Sequence, residues 1–369
     1  MKFSVVTVCL NSAETIEKTI ESVLGQQGVE IEYIIIDGGS TDGTVEIIKR
    51  YGDRIACWCS EPDGGIYEAM NKGISAATGD MISFINSSDW YADGALASVQ
   101  QKMRGGAYDL VCGKVARVKD GVTVAIDARP KDEADIYYRM YYQHQGIFAR
   151  RSVFSEYGKF DLQYRICADY DWLLRVYNRG VRIGYVDRIL SYFTLGGVSS
   201  GIRLLSEKKA VCLKHLPLAW HEKYHDKIIE QYENGMLSYR YHSVSVHVGR
   251  DPLLAKRIKE NLPTGDKCSL FGAGRMAGEC HELLRQLGIT VEHIYDNSIE
   301  KQGLTYLGVV IEPPGHIKPD ETVVIGTTVY AEEVINQLKS CQVLKYITFR
   351  DIMRIVVESA DEGEGLEDV

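Results

Sequence analysis

Residues 60–90, SEPDGGIYEAMNKGISAATGDMISFINSSDW, decide the fold. Asp63-Gly64-Gly65 is turn chemistry. Residues 68–76 follow with helical spacing, and 81–85 form an apolar run too short for a helix. Such a run, bounded by polar turn residues, reads as a strand buried on both faces of a parallel sheet. Asp89 comes just after it. In an open α/β sheet, ligands bind beyond the carboxyl ends of the strands. A carboxylate there points to an enzyme that handles a charged, metal-bound substrate.

The same alternation extends on both sides. Residues 3–10 read as a strand, and 13–26 as an amphipathic helix with Ile16, Ile20, Val23 and Leu24 on one face and Ser12 as N-cap. Strands at 32–36 and 55–59 alternate with a helix at 44–51. Over about 200 residues this predicts an α/β domain with a mainly parallel sheet. From residue 202 to 262 strand signals vanish, and Lys, His, Tyr and Trp interleave in helical stretches. Residues 263–266 read as a hinge. A second α/β unit runs from 267 to about 353, and 354–369 read as an acidic, frayed tail. The expected domains are therefore 1–204, a helical connector 205–262, a small Rossmann-like domain 263–353, and the tail.

Bulk properties exclude several classes. The chain has 369 residues and a net charge of −9, which argues against nucleic acid as a partner, since that needs a basic footprint. Its nine cysteines are odd in number and scattered, which fits a reducing cytoplasm rather than a disulfide framework. Lys2 leads straight into residues 3–10, too short for a signal h-region. No run approaches the roughly 20 apolar residues of a membrane span.

Several clusters carry chemistry, each with a plainer alternative. Asp37 closes a strand ahead of Gly38-Gly39 and can accept a hydrogen bond from a base N–H or a ribose hydroxyl, or simply belong to a capped turn. Asp63 and Asn71 can contact a sugar or base, and Lys72 can face a diphosphate, or lie on a solvated helix face. In Asn86-Ser87-Ser88-Asp89, one carboxylate can suffice for Mg²⁺ or Mn²⁺ when phosphates and water complete the shell, or it can cap the next segment. Asp169 falls in the first turn of a helix opening at Ala168, where negative charge is favoured, and can act as a general base. Asp171 competes for that role, or pairs with Arg175 one turn on. His144 can ligate metal or touch phosphate, or be structural.

Taken in order, VVTVCLN at 5–11, IDGGSTDGT, EPDGGIYEAMNKG, ATGDMISFINSSD, HQGIFARRSVF and ADYDWLLR resemble family 2 glycosyltransferases of the GT-A fold. The resemblance covers about residues 1–200 and is closest to the bacterial branch that builds capsule, exopolysaccharide or O-antigen. It implies that Thr7, Asn11, Asp37 and Asp63 line the nucleotide pocket, with Asn71 and Lys72 near the sugar diphosphate. Asp89 matches the metal-contacting end of the DxD-type motif, here reduced to Ser87-Ser88-Asp89. Ser88 lies with the nucleotide sugar, Asp169 matches the base, and Ser199 touches the diphosphate from a loop. The implied reaction is an inverting transfer from a nucleotide sugar, UDP-linked, with a divalent metal. The implied acceptor is a saccharide, free or polyprenyl-linked, at the inner face of the plasma membrane.

The second unit carries Gly272-x-Gly274-x-x-Ala277 and Asp296, a dinucleotide fingerprint in strand–turn–helix context. At about 90 residues it is half a full dinucleotide fold, and a structural or partner-binding role is preferred over a nucleotide site. The connector's Lys208, Lys209, Lys214, Trp220, Lys223, Lys227, Tyr239 and Arg240 suit a peripheral membrane contact, or packing between domains or subunits of a homo-oligomer. The rival readings are an NAD-dependent sugar-nucleotide oxidoreductase and a catalytically inactive scaffold.

Overall fold

The computed structural model of the chain describes residues 1–130, 132–196, 201–328 and 330–362. It divides into two compact units, Met1–Tyr232 and Glu233–Val369.

In the first unit the chain runs β1 (Lys2–Cys9), α1 (Ile16–Leu24), β2 (Glu30–Asp37), α2 (Thr44–Arg50), β3 (Cys57–Ser60), α3 (Ile66–Ala76) and β4 (Met81–Phe84). It continues through β5 (Trp90–Tyr91), α4 (Ala95–Arg104), β6 (Leu110–Lys119), β7 (Val122–Asp127), β8 (Ile147–Arg150), α5 (Arg151–Tyr157), α6 (Ala168–Tyr177) and β9 (Ile183–Thr194). Among the described residues these nine strands form one sheet in the order β3-β2-β1-β4-β8-β6-β9-β5, with β7 hydrogen-bonded to β6. β3, β2, β1 and β4 are parallel, as are β6 and β9. β8 enters antiparallel between β4 and β6. The reversal brings the turn just before β8, His144–Gly146, to the same rim as the carboxyl ends of β1, β2, β4 and β9.

The apolar runs are explained by helices on both faces. Val6, Val8, Ile34 and Ile36 point to the side covered by α3, α5 and α6, whereas Phe3, Val5 and Ile35 point to the side covered by α1 and α4. α3 lies so close to β1 that a Cβ on Gly73 would fall 2.3 Å from Val6 Cγ1. Helix α1 starts at Ile16, not at residue 13: residues 13–15 form a turn closed by the Ser12 carbonyl, which accepts the N–H groups of Thr15 and Ile16, and Thr15 at φ −123° is not helical. Thr15 is therefore the N-cap residue, and the Ser12 hydroxyl sits 2.8 Å from that of Ser87.

Residues 202–262 are helical as expected: α7 (Ile202–His215), α8 (His221–Val248) and α9 (Pro252–Asn261). They do not make a separate layer. Val211, Cys212, Leu216, Ile228 and Tyr232 join the first unit's core, while Tyr241, Val248, Leu254 and Ile258 join the second's. The division falls inside α8. Several connector residues are engaged within their own unit: Lys214 pairs with Asp171, Arg240 with Asp361 at the surface, and Trp220 packs edge-on against Tyr137.

The second unit contains β10 (Lys267–Phe271), α10 (Arg275–Gln286), β11 (Thr290–Tyr295), β12 (Thr305–Tyr306), β13 (Val309–Glu312), β14 (Thr322–Ile325), α11 (Ala331–Ser340), β15 (Lys345–Thr348) and α12 (Phe349–Asp361). Its sheet order is β12-β13-β11-β10-β14-β15, parallel except at β12. α12 corrects the expectation of a tail from residue 354. Phe349, Ile352, Met353, Val356, Val357 and Ala360 recur at helical spacing and are buried, and Thr348 with Asp351 forms a capping box. No helix among the described residues is long and apolar enough to cross a membrane.

Candidate active site

The rim is built around carboxylates. Asp37 ends β2, fully buried, and its oxygens accept from Gly39 N (3.1 Å), Ser40 N (2.9 Å), Ser40 Oγ (2.5 Å) and Ser60 Oγ (2.6 Å). Burial alone would raise its pKa, but these donors outweigh it and hold the carboxyl below its usual value. Asn11, in the left-handed region at φ 48°, joins the neighbouring loop. Its N–H donates to Ser40 Oγ at 2.7 Å and its Oδ1 accepts from Thr41 N at 3.0 Å. Thr7 lies beneath, fully buried, 3.0 Å from the Tyr33 hydroxyl. Asp63 accepts from Gly65 N at 2.9 Å, and a Cβ on Gly38 would approach Asp63 Oδ2 to 3.0 Å, so the two turns meet closely there.

On α3, both ends of the Asn71 amide are taken by the Phe160 backbone, at 2.9 and 3.0 Å. Lys72 Nζ is 2.8 Å from Glu61 and 3.8 Å from Glu68. The Ser88 carbonyl accepts from Thr194 Oγ1 at 2.6 Å. Ser199 lies outside the described residues.

Asp169, in the first turn of α6, is largely buried and receives donors from three directions. Tyr170 N donates to Oδ1 at 2.8 Å. The Tyr67 hydroxyl lies 2.9 Å from Oδ1 and 2.6 Å from the Ile166 carbonyl, so its one proton is shared. Burial and the nearby carboxylate push the Tyr67 hydroxyl's pKa well above its usual value, so it serves as a donor. His144 Nδ1 is 2.9 Å from Oδ2. An ionised carboxylate only accepts, so that nitrogen carries the proton. The loop before α6 is fixed by Glu207 on α7, whose carboxylate accepts from Arg165, Ile166 and Cys167 N at 2.8–3.1 Å. Beside the His144–Asp169 pair is a small apolar cavity of about 10 Å³ lined by Phe84, Phe154, Phe160 and Trp172, with Phe154 and Trp172 stacked at 4.5 Å.

Asp171 faces elsewhere. It accepts from Lys214 Nζ and His215 Nε2, both at 2.8 Å, tying α6 to α7. Burial would raise its pKa, but these partners hold it below the usual carboxylate range.

The resemblance implies a divalent metal at Asp89. That carboxylate is only 1% exposed. Oδ2 accepts from Gln145 Nε2 at 2.8 Å and Oδ1 from Thr194 N at 2.9 Å. Burial pushes its pKa up to about 6, partly countered by those two donors. Each oxygen thus carries one N–H donor and keeps a second lone pair, but the carboxylate is sealed within the packing, so a metal ligand does not fit it unless that packing opens. Among the described residues, no group of three or more His, Cys, Asp or Glu could hold a metal ion.

Of two further residues at this site, Tyr67 escaped the sequence reading, and Gln145 stood out only as His144's neighbour, with no partner assigned. Tyr67 follows the double glycine at the start of α3, and its aromatic ring reads as core. Gln145 sits beside His144, and nothing local signals its bond to a carboxylate 56 residues away. In the second unit, Asp296 accepts from Ala273 N at 2.8 Å and pairs with Lys301 at 3.1 Å, while the Tyr306 hydroxyl donates to the Gly274 carbonyl at 2.8 Å. The fingerprint's acid is thus engaged by its own glycine turn.

A family model, glycosyl transferase family 2, matches residues 4–170. A PGL/p-HBAD biosynthesis glycosyltransferase of Mycobacterium tuberculosis is 30% identical over 217 residues, 54% of this chain and 80% of the relative. A putative teichuronic acid biosynthesis glycosyltransferase of Bacillus subtilis, TuaG, is 38% identical over 94 residues, 24% of this chain and 37% of the relative. The crystal structure of S. aureus TarS 1–349 in complex with UDP-GlcNAc matches with a TM-score of 0.51 at 20% identity, over 67% of this chain and 76% of that one. The chain belongs to glycosyltransferase family 2. It is a glycosyltransferase whose mixed sheet has the GT-A architecture.

Proposed function

We propose that the first unit transfers a sugar from a nucleotide donor, UDP-linked, to an acceptor hydroxyl with inversion, and that Asp169 is the general base. One observation carries this reading. The adjacent residues His144 and Gln145 bond Asp169 and Asp89 respectively, so the α6 carboxylate lies close to the rim where β1, β2 and β4 end. The Asn11 and Asp37 loops and the Asp63 turn line the nucleotide end of that rim. As the acceptor oxygen attacks the anomeric carbon, the bond from that carbon to the diphosphate breaks on the opposite face. Asp169 takes the acceptor proton, and UDP departs. His144, Tyr67 and Tyr170 N hold the carboxylate in one orientation while it does so, which lowers the entropic cost of the attack.

The UDP donor is supported by the fold shared with TarS, solved with UDP-GlcNAc. The acceptor proposed is a saccharide, free or polyprenyl-linked; the relative named for teichuronic acid biosynthesis favours a polysaccharide product. The test is Asp169→Asn, with donor binding measured by calorimetry and transfer by product analysis across UDP-, GDP- and dTDP-sugars. General-base loss is worth about 10²–10⁴-fold in rate. Donor binding is expected to persist and transfer to fall by that factor. Full transfer by the variant would overturn the assignment.

A further inference from the structure

Asp89 and Asp169 are gripped by one turn. Gln145 and His144 are neighbours in the short 3₁₀ turn His144–Gly146. Gln145 Nε2 donates to Asp89 at 2.8 Å, and His144 Nδ1 donates to Asp169 at 2.9 Å. Each bond has a fixed sense. Only the NH₂ end of a glutamine amide can face a carboxylate, and only a protonated ring nitrogen can do so. The remaining polar atoms of both side chains, Gln145 Oε1 and His144 Nε2, are buried without a hydrogen-bond partner. The turn is backed by β6, since a Cβ on Gly146 would meet Val115 Cγ2 at 2.7 Å and the Gly113 carbonyl at 3.0 Å. Asp89 is anchored in turn: its carboxylate accepts Thr194 N at the end of β9, and its carbonyl accepts Thr19 Oγ1 at 2.7 Å.

We propose that Asp89 is a positioning residue and not a metal ligand: through Gln145 it fixes the His144–Gly146 turn, and through His144 it fixes the Asp169 carboxylate. This rests on Asp169 being the base. A cation reaching Asp89 would have to open the packing that buries it, in which Gln145 and Thr194 N are seated, and so loosen the turn that aligns the base. A buried carboxylate receiving two N–H groups works here as a clasp between β4, β8 and β9. Its loss frees His144 to leave Asp169.

The full-length chain is tested with Asp89→Asn, Gln145→Met and Asp169→Asn. Mn²⁺ binding in the presence of UDP is followed by electron paramagnetic resonance of the free ion, UDP binding by calorimetry in EDTA, and turnover by steady-state kinetics. Asp89→Asn and Gln145→Met are expected to lower kcat at least tenfold with donor KM within about twofold. Mn²⁺ binding should match wild type within about twofold, including the case where neither binds Mn²⁺ beyond what UDP itself holds. A tenfold or greater loss of Mn²⁺ binding in Asp89→Asn, with EDTA-condition UDP binding intact, overturns the proposal. So does an unchanged kcat in Gln145→Met, which leaves Asp89 itself in place and serves if Asp89→Asn does not fold. Failure of the underlying reading shows separately, as full transfer by Asp169→Asn.

Discussion

Replacing Glu32 with glutamine should remove a pH-dependent part of the first unit's stability. Glu32 lies at the edge of the sheet opposite the active-site rim and is largely buried. Oε1 accepts from Lys2 Nζ (2.8 Å) and Thr78 Oγ1 (2.5 Å), and Oε2 from Ser4 Oγ (2.5 Å) and Thr78 N (2.7 Å). Those four bonds tie the starts of β1 and β2 to the loop before β4. Burial alone would raise the pKa, but the bonds from Lys2, Ser4 and Thr78 outweigh it and bring the group from 4.5 to about 2. A group depressed on folding stabilises fully above its unfolded pKa and loses that contribution as pH falls through the folded one. The window is therefore from roughly pH 4.5 down to 2. A shift of that size is worth at most about 3 kcal/mol, and solvent around the partly exposed Lys2 reduces it to about 2. Glutamine keeps one acceptor oxygen and turns an NH₂ toward donors, so Glu32→Gln should cost about 2–3 kcal/mol at pH 7. Urea unfolding followed by tryptophan fluorescence isolates the effect, because all four tryptophans, Trp58, Trp90, Trp172 and Trp220, lie in the first unit. The gap between wild type and variant should close as pH drops from 4.5 towards 2. A gap constant across that range would show that packing, not charge, holds the corner together and would refute the argument.

Tyr67→Phe deletes a donor shared between Asp169 and the Ile166 carbonyl. A hydrogen bond to a charged group is worth about 1.5–3 kcal/mol, so kcat should fall about tenfold with donor affinity unchanged, and an unaltered kcat would remove Tyr67 from the site. Asp171→Asn breaks a buried pair with Lys214 and His215 and should cost about 3–5 kcal/mol in urea unfolding. Transfer per folded molecule should stay within about twofold. Abolished transfer in folded Asp171→Asn, alongside an active Asp169→Asn, would move the base to Asp171.

The parallel half of the first sheet was legible because each of its strands is an apolar run broken by Gly and Asp turns. Local hydrophobicity and the turn residues carry that information over short spans. β8 was not legible as antiparallel, since IFAR has no feature that tells direction, and its place between β4 and β6 is set by long-range pairing. α12 was obscured by the acidic residues that follow it, although Phe349, Ile352, Met353 and Val356 already hold the helical period. At the site, Asp37, Asp89 and Asp169 stood out because carboxylates at strand ends and helix starts are informative on their own. What each one bonds was not legible. The Asn71 amide is taken by the Phe160 backbone 89 residues away, and Asp89 is shared by residues on β9 and in the turn before β8. Only tertiary structure brings those partners together.

The helices after residue 201 bear on how the protein can be dissected. A fragment ending near residue 204, where the resemblance to relatives fades, would lack Val211, Cys212, Leu216, Ile228 and Tyr232, all buried in the first core. It would also lose the Tyr232 hydroxyl that donates to the Tyr138 carbonyl at 2.7 Å, and Glu207, which holds the loop before α6. At about 1.5–3 kcal/mol for each large apolar side chain, the omitted burial rivals the entire margin by which a typical domain is folded. The smallest autonomous catalytic fragment therefore has to run through Tyr232, in the middle of a helix. A clone cut at the edge of sequence similarity should therefore lack a cooperative unfolding transition in urea.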